Sequence, residues 1–408
     1  MKNILTNRKG LGIIAAILIM LIIGVMGASL ASLLGDNSMS AVNYLQSQQA
    51  FWAAESGVQT ALLQLSKGGG TWPGWAGTDP KTIQLSLTGY GLCNISVAAP
   101  TSSTPSITAT GYVPNQTALN KAARVINLTA SDYNLIGTYA AFAGESGTAN
   151  SVTMSNTSST DSYDSSKGTY NVGGNISNNG NVGTNANISV SISSYIGGNA
   201  STGPSGTFSN TGLVSGTITH TNNVTLPAVI VPSSLTGLTN GGNINNTTTI
   251  TAGNYQYTEF SGTKTITIVG PANIYLTGST SINLTNNGTV SVSASSTGPV
   301  IIYAAGAVNA SNAGGLNNNT SLPSDLQLYD SSASATNISL SGPFYGVVYA
   351  PGGNLSLIGN SDFYGSFIGN VVSLSTQASV HLDQNLSHIT LPSFLPSQWE
   401  ISNWREIY

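Results

Sequence analysis

Charged side chains are scarce in this sequence. The 408 residues include 10 lysines and arginines and 14 aspartates and glutamates, so charged residues make up 6% of the chain. That is about a quarter of the share usual in soluble globular proteins. Nucleic acid is excluded as a partner, because neutralising its phosphates requires a dense basic surface. Asparagine, serine, threonine and glycine supply the polarity, and the β-branched residues between them indicate ordered β-structure rather than disorder.

Cysteine is nearly absent as well. Cys93 is the only one, so the chain can form no intramolecular disulfide. A cysteine zinc cluster and a dithiol redox pair are excluded for the same reason. We therefore expect no metal and no other cofactor.

What the sequence does have is one long apolar run near its N terminus. Residues 11–34 carry no charge. As a helix rising roughly 1.5 Å per residue, they are long enough to cross a bilayer core of about 30 Å. Lys2, Arg8 and Lys9 precede the run, so the positive-inside rule predicts a single span with a cytoplasmic N terminus.

The helical pattern continues beyond the apolar run. Val58, Leu62 and Leu65 fall at helical spacing beside a stripe of small residues, and serine, lysine and three glycines at 66–70 supply a helix end. The sequence therefore predicts one continuous helix over residues 11–66, with its lower half in lipid and its upper half packed on a domain.

This N terminus resembles a known family. A short basic leader ending in Gly10, an apolar helix beginning at Leu11, and the sequence QQAFWAAESGVQTALLQL at 48–65 resemble type IV pilin-like proteins, specifically PilX-like minor pilins. The resemblance implies that a prepilin peptidase removes the leader, residues 1–10, in the cytoplasmic membrane and that the new amine of Leu11 is methylated. It also implies partners, namely other pilin subunits and a pilus assembly platform. A plain uncleaved membrane anchor is the alternative.

Ala15 is a departure from the family pattern. Major pilins carry glutamate at the fifth mature position, where its carboxylate pairs with a neighbouring subunit's terminal amine, and here that position holds Ala15. Because an unpaired amine is costly to bury, the departure implies an assembly role for Ala15 as the mark of a minor, tip-proximal subunit.

Glu55 lies near the face of the helix that would pack on a sheet. It is a candidate assembly residue, as a buried partner of Lys121, Arg124 or Arg405 that fixes the helix against the domain. The alternative is an ordinary exposed helix glutamate.

Residues 67–131 read as a small β subdomain. Short β-branched segments bounded by glycine, proline or asparagine predict strands, which would form an antiparallel sheet over the apolar face of the helix. They lie at 82–91, 93–100, 106–115 and 121–131. The arrangement resembles a pilin globular head.

Residues 132–394 contain short polar strands at close, quasi-regular spacing. Ile266, Ile274 and Ile282 recur eight residues apart in similar segments. Such repeats predict the coils of a parallel β-solenoid, with inward Ile, Leu and Val and outward Ser, Thr and Asn. The same alternation also permits an antiparallel β-sandwich.

Two longer repeats point to the same arrangement. Similar hexapeptides begin at Asn337, Asn354 and Val371, at intervals of 17, and Phe-Tyr-Gly occurs at Phe344 and again at Phe363. The predicted fold is therefore α+β, with a long N-terminal pilin helix, a small antiparallel head and a large C-terminal parallel β-solenoid of the right-handed β-helix type. Residues 395–408 form a C-terminal tail.

The region also resembles a known domain. DSYDSSKGTY at 161–170, the long segment at 342–386 and the terminal SNWREIY are similar to a domain of uncharacterised function that often follows PilX-like N termini in bacterial envelope proteins. The resemblance carries no information about chemistry.

Catalysis is poorly supported. A solenoid lyase needs clustered acids for calcium and a basic residue, but Arg124 falls in the head and Arg405 in the tail. The best cluster is His381 with Asp383, close to Asp362 if that residue lies one coil earlier, and a structural hydrogen bond is the simpler interpretation. We expect no enzyme activity.

Two further features have alternative interpretations. Asp161 and Asp164 in DSYD fit either a calcium loop or a turn stabilised by aspartate. Tyrosines at 345, 349 and 364, with Phe344, are either an exposed strip that binds surface glycans or core stacks.

The predicted function is that of a minor pilin or pseudopilin-like component of a type IV pilus or type II secretion-like filament, acting in assembly, adhesion or surface display. It would reside in the cytoplasmic membrane before assembly and then in an extracellular pilus or the cell envelope. The alternatives are a membrane-anchored adhesin that binds glycans through the solenoid and, less favoured, a β-helix carbohydrate-active enzyme.

Overall fold

The structure is a computed structural model that describes residues 8–66, 73–87, 91–100, 105–118, 121–210, 213–311, 315–339, 342–392, 394–395 and 398–407. It divides into two units. Unit 1 comprises Met1–Asp132 and Ser397–Tyr408, and unit 2 comprises Tyr133–Pro396. Unit 2 is therefore inserted between the two segments of unit 1.

Three helices and 27 strands are described. The helices are α1 Arg8–Ser66, α2 Leu135–Thr138 and α3 Ser233–Thr236. The strands are β1 Lys81–Leu87, β2 Gly91–Ala98, β3 Ser106–Val113, β4 Ala122–Tyr133, β5 Ala141–Met154, β6 Ser159–Tyr163, β7 Val182–Val190, β8 Tyr195–Ile196, β9 Ala200–Ser201, β10 Ile218–Thr219, β11 Asn243–Ile244, β12 Thr248–Ile250, β13 Gly253–Tyr257, β14 Glu259–Gly262, β15 Thr265–Ile268, β16 Ala272–Leu276, β17 Thr280–Leu284, β18 Thr289–Val292, β19 Val300–Ala304, β20 Ala307–Ser311, β21 Gly315–Asn318, β22 Leu326–Asp330, β23 Thr336–Ser339, β24 Phe344–Ile358, β25 Asp362–Ser375, β26 Ser379–Asp383 and β27 Gln398–Ile407.

Helix α1 is continuous over 59 residues, or about 90 Å at the standard rise. It ends at Ser66, as predicted, and begins at Arg8, three residues before the predicted start. The predicted leader residues 1–7 and the predicted helix end at 67–70 lie outside the described residues. Its C-terminal part buries Ala50, Ala54, Val58 and Leu65.

The sheet that covers this part of α1 belongs to unit 1. Strands β1 to β4 pair antiparallel in chain order, which confirms the predicted antiparallel head. Strand β27 lies next to β4 and extends the sheet to the order β1-β2-β3-β4-β27. The segment predicted as a tail thus contributes an edge strand.

Two glycines let α1 lie close to this sheet. A Cβ on Gly57 would overlap Cys93 Sγ, and a Cβ on Gly111 in β3 would overlap the carbonyl oxygen of Ala50. The small residues of the helical stripe therefore bring the helix backbone onto the sheet, where Ile95 and Ile107 are also buried.

Unit 2 is built from parallel strands. From β11 to β20, each strand pairs in parallel with the third strand after it, as in β13–β16–β19–β22, β14–β17–β20–β23 and β12–β15–β18–β21. The antiparallel sandwich that the sequence also permitted is wrong, because the pairings described between the strands of unit 2 are parallel. Three ladders result, and Ile266, Ile274 and Ile282 each lie in a different one.

The ladders continue through the long strands, which span two ladders each. The first half of β24 follows β22 and its second half follows β23, and β25 pairs along both halves of β24. The Phe-Tyr-Gly repeat stacks in register, with Phe344 opposite Phe363. Asn354 lies opposite Val371 as the repeat of 17 predicts, whereas Asn337 lies opposite Ser356.

The stacking order of unit 2 departs from the chain order once. Strands β25 and β26, near the end of the unit, pair in parallel with β5 and β6, near its beginning. We call this junction the seam. Strands β7 to β10 continue the stack beyond β5 and β6, so residues 220–242 connect its two ends.

Apolar side chains fill the interior of the stack. Ile, Leu, Val and Phe residues from every ladder form one buried cluster, and complete burial of each contributes about 1.5–3 kcal/mol. A second cluster, centred on Tyr329 and Tyr349, is covered by the connecting segment, where Pro227 O accepts a hydrogen bond of 2.6 Å from the Tyr349 hydroxyl.

Candidate functional site: the exposed apolar helix

The N-terminal half of α1 exposes apolar side chains on all sides. Large hydrophobic residues have 47–74% of their surface exposed. They are Ile17, Leu18, Ile19, Met20, Leu21, Ile22, Ile23, Val25, Met26, Leu30, Leu33 and Leu34. A helix that is apolar around its whole circumference requires an apolar environment, which is either lipid or other helices.

By length and composition this helix can cross a membrane. The candidate span is Ala15–Leu65, with a mean hydropathy of 2.6 in its most apolar window, none of which is buried. It is the one such helix in the part of the chain that the structure describes. The first described acidic residue along α1 is Asp36.

Small residues interrupt the apolar surface. A Cβ added at Gly24, Gly27 or Gly35 would meet no atom within 4 Å. Small residues let the backbones of membrane helices approach each other closely. This part of α1 can therefore pack against another helix as well as against lipid.

The predicted processing and assembly residues at the start of α1 lie in this helix. Gly10 and Leu11 have helical backbone. Ala15 is exposed. Cleavage, methylation and the role of Ala15 stay predictions.

Glu55 lies on the part of α1 that packs on the sheet. It is half-buried and accepts a hydrogen bond of 3.4 Å from Gln59 Nε2. Arg124, one of its predicted partners, lies 3.5 Å from Glu406 and donates to Ser47 Oγ at 2.7 Å through Nε. These contacts join β4, β27 and α1, and the pairing predicted for Glu55 stays a prediction.

The ion pair of Arg124 with Glu406 was not expected from the sequence. The sequence hint for this ion pair was the two opposite charges, Arg405 and Glu406, next to each other in the terminal segment. In the structure Arg405 is exposed and Glu406 is half-buried. Because Glu406 lies about 280 positions from Arg124, only the addition of β27 to the sheet brings the two together.

Cys93 is an unreactive structural residue. Its side chain is fully buried beneath Gly57, and burial raises the pKa of its thiol to about 12. A thiol with such a pKa is not a nucleophile at neutral pH.

The candidate catalytic residues of unit 2 are only partly brought together. His381 Nε2 lies 3.4 Å from Asp362 Oδ1, as the sequence analysis expected, and His381 Nδ1 lies 2.5 Å from Asp161 Oδ1 across the seam. Asp383 is buried and accepts hydrogen bonds from the backbone N–H groups of Ser165 and Asn385, at 2.9 and 3.1 Å. Asp383 therefore stabilises turns and does not contribute to the group around His381.

The aspartates of DSYD have separate structural roles. Asp164 caps a 3₁₀ turn by accepting from Ser166 N at 3.0 Å, and it lies 2.9 Å from Lys167 Nζ. These hydrogen bonds hold the pKa of the Asp164 carboxyl below its usual value even though burial opposes the shift. Within the described residues, no group of three or more His, Cys, Asp or Glu could hold a metal ion.

The aromatic residues of unit 2 divide between core and surface. Phe344 and Tyr349 are fully buried in the two clusters, which confirms the core interpretation for them. Tyr345 is half-buried and stacks on Tyr364, with ring centroids 4.4 Å apart and planes 8° apart.

Comparisons with known proteins identify one matching family model. Residues 210–389 match a domain of unknown function, DUF7305, which covers less than half of the chain. No curated protein matches. The crystal structure of the competence-associated pilin ComZ from Thermus thermophilus is similar with a TM-score of 0.32 and 11% sequence identity, covering 88% of this chain and 97% of that chain.

Proposed function

We propose that the chain is a pilin-like subunit of a type IV pilus or a type II secretion-like filament, and that it displays unit 2 outside the cytoplasmic membrane. The observation that carries the proposal is the division of α1. Its N-terminal half is exposed and apolar all round, whereas its C-terminal half is buried against a small antiparallel sheet. A helix of this kind can move from lipid into a bundle of similar helices without a change in its own fold.

The first residues of α1 support processing after Gly10. The basic residues Arg8 and Lys9 precede an uncharged segment, which places the junction between Gly10 and Leu11 at the cytoplasmic surface when residues 11–34 cross the membrane. In this proposal a prepilin peptidase removes residues 1–10 and methylates Leu11.

Ala15 supports the more specific assignment to a minor, PilX-like and tip-proximal subunit. With alanine at this position the helix offers no carboxylate to a neighbouring subunit's amine. Burying that amine without a partner costs several kcal/mol, of order 3–5 when a buried pair is broken. Such a subunit is accommodated best where no neighbour requires the carboxylate, as at a filament tip.

We further propose that unit 2 is a parallel β-solenoid. Pairing of every third strand, inward stacking of aliphatic residues and in-register repetition of Phe-Tyr-Gly support this interpretation. Stability then grows by stacking, so unit 2 can present a long surface without a globular core.

Mass spectrometry of the N terminus tests the processing step. We expect purified protein from its native host to begin at methylated Leu11, and a Gly10→Val variant to retain residues 1–10 because a branched side chain then stands at the proposed cleavage junction. Recovery of intact wild-type protein from Met1 would instead support the alternative, a membrane-anchored adhesin whose helix does not assemble.

A further inference from the structure

A column of polar and aromatic residues crosses the seam of unit 2. Tyr345, Tyr364, His381 and Asp161 lie opposite one another on four successive parallel strands. Such strands lie about 4.8 Å apart. The inward-pointing neighbour Val380 belongs to the buried core, so the column lies on the outer face of its ladder.

One end of this column is fully hydrogen-bonded. Asp161 lies between His381 Nδ1, at 2.5 Å from Oδ1, and the Tyr170 hydroxyl, which donates to Oδ2 at 2.6 Å. The Tyr170 ring lies over the imidazole with centroids 4.0 Å apart. The orientation of His381 is therefore fixed by contacts on one edge and one face.

The other edge of the imidazole lacks a hydrogen-bond partner. His381 Nε2 is buried and lies 3.4 Å from Asp362 Oδ1 without forming a hydrogen bond, and the buried hydroxyl of Tyr163 also has no partner. His381 and Tyr163 expose only 5% and 2% of their surface. Two orphaned polar atoms in one small cluster are unusual, since nearly all buried polar atoms in proteins are paired.

Asp362 makes the cluster accessible from outside. Its side chain is 53% exposed, and the neighbouring imidazole of His381 keeps its pKa below the usual value, so it is a carboxylate at neutral pH. Asp161 and Asp362 raise the pKa of His381, although burial opposes this. A ligand hydroxyl beside them can accept from Nε2–H and donate to the Asp362 carboxylate at the same time.

Aromatic rings surround this hydrogen-bonding edge. Tyr364 forms edge-to-face contacts with Tyr163 and Tyr170, and it stacks on the half-buried Tyr345. Beside them, Ser159 Oγ donates to Ser379 Oγ at 3.0 Å on neighbouring strands. Tyrosine rings with nearby hydroxyls and one carboxylate match the alternating apolar and hydroxyl surfaces of a sugar ring.

The negative charge around His381 and Asp362 favours neutral saccharides over acidic ones. Of the eight acidic residues of unit 2, Asp161 and Asp362 lie in this cluster, and Asp164 and Asp383 cap the turns that follow the paired strands β6 and β26. Their described cationic neighbours are His381 and Lys167, so the area retains negative charge. Acidic saccharides would meet like charge with no cation to compensate.

We propose that Tyr163, Tyr170, Tyr345 and Tyr364, arranged around Asp161, Asp362 and His381, form a binding site for neutral saccharides. We call this the seam site. Asp362 and His381 hold a sugar hydroxyl, and Tyr345 provides contact with the face of the ring. The site goes beyond the filament role and does not depend on it.

Titration calorimetry on the full-length protein in detergent micelles tests the site. The probes are cellohexaose and hexa-N-acetylglucosamine as neutral saccharides and hexagalacturonate as an acidic one. The variants are Asp362→Asn, which removes the charge at nearly constant shape, and Tyr345→Ala, which removes the outer ring.

Matched controls exist within unit 2. Tyr255 and Tyr257 form another stacked pair, with centroids 5.9 Å apart, and Glu259 is a carboxylate that accepts from Asn243 Nδ2 at 3.3 Å. Tyr255→Ala and Glu259→Gln therefore alter the same side-chain types away from the seam. Circular dichroism is used to check that each variant retains the wild-type fold. If Tyr345→Ala does not, Tyr345→Leu replaces it, because that variant also lacks the ring.

The expected result is saturable binding of a neutral hexasaccharide and none of hexagalacturonate. Asp362→Asn should weaken binding at least about tenfold, which is the effect of one hydrogen bond to a charged group. The two control variants should bind like wild type. Absence of neutral binding at millimolar concentration would overturn the proposal. Equal weakening by the control variants would overturn it too.

Discussion

Single residues at the seam show which contacts could be predicted from the sequence and which could not. The proximity of His381 to Asp362 was predictable because the two lie one repeat apart along the chain. Its closer partner, Asp161, lies 220 residues away and meets His381 only because the first strands of unit 2 stack on the last ones. No periodicity in the sequence predicts that contact, because the paired strands β26 and β6 lie near opposite ends of unit 2 along the chain.

His381 should make the stability of unit 2 depend on pH. Its folded pKa is raised above 6.5 by Asp161 and Asp362, so its contribution is fully present below 6.5 and is lost as the pH rises through the folded value. The lowered pKa of Asp362 works oppositely, adding stability above 3.8 that is lost as the pH falls.

We therefore expect the thermal midpoint of unit 2 to fall as the pH rises above 6.5 and through the raised pKa of His381, and His381→Gln to abolish this slope. At pH near 6 the substitution should lower the free energy of unfolding by about 1–3 kcal/mol. Far-UV circular dichroism is the readout, because all five tryptophans lie in unit 1. An unchanged slope in the variant would contradict the assignment of the titration to His381.

At the scale of elements, the packing of α1 on the sheet was largely predictable. Helical spacing gave Val58 and Leu65 as buried residues, and an antiparallel sheet of four head strands over the helix was expected. The fifth strand was missed because β27 is not adjacent in sequence to the sheet that it joins. An isolated terminal segment of ten residues has no pairing signal until its partner, β4, is known.

A pair of glycine substitutions tests the close approach of α1. Gly57→Ala and Gly35→Ala bring the same gain in helix propensity, about 1 kcal/mol, but only the first adds a Cβ that overlaps another atom, Cys93 Sγ. We expect Gly35→Ala to be neutral or stabilising and Gly57→Ala to destabilise unit 1 by about 1–2 kcal/mol. Tryptophan fluorescence during denaturant unfolding measures both.

A second substitution that removes the overlapping atom, Cys93 Sγ, should restore stability to unit 1. In the double variant Gly57→Ala with Cys93→Ala, the sulfur is absent and the new Cβ keeps only the milder contacts of 3.0 Å to Ile95 Cγ1 and 3.2 Å to Ala109 Cβ, so part of the lost stability should return. Destabilisation that persists in the double variant would show that helix and sheet are held apart by something other than this contact.

At the scale of the whole molecule, the two units differ in how far their structure can be predicted from the sequence. Unit 1 has local helical and antiparallel patterns that a sequence shows directly. Unit 2 has a repeat whose strand type was predictable, whereas its stacking order was not. At the seam the neighbouring strands are not consecutive in the chain, and side-chain contacts help to hold them together. Asn370 Nδ2 donates to Glu145 Oε2 at 2.7 Å, and Ser366 Oγ donates to Tyr139 O at 2.7 Å. Long-range pairing of this kind depends on the folded surroundings and not on local composition.

The proposed function also belongs to this scale, because it requires α1 to leave the membrane and join other subunits. The most direct measurement is the distribution of the protein between sheared surface filaments and membranes of cells that produce it, read by immunoblotting. We expect wild-type protein in both fractions, and Gly10→Val protein in the membrane fraction alone, since the uncleaved leader keeps α1 in the bilayer. Wild-type protein confined to the membrane fraction, while filaments of other pilins are recovered intact, would contradict the account.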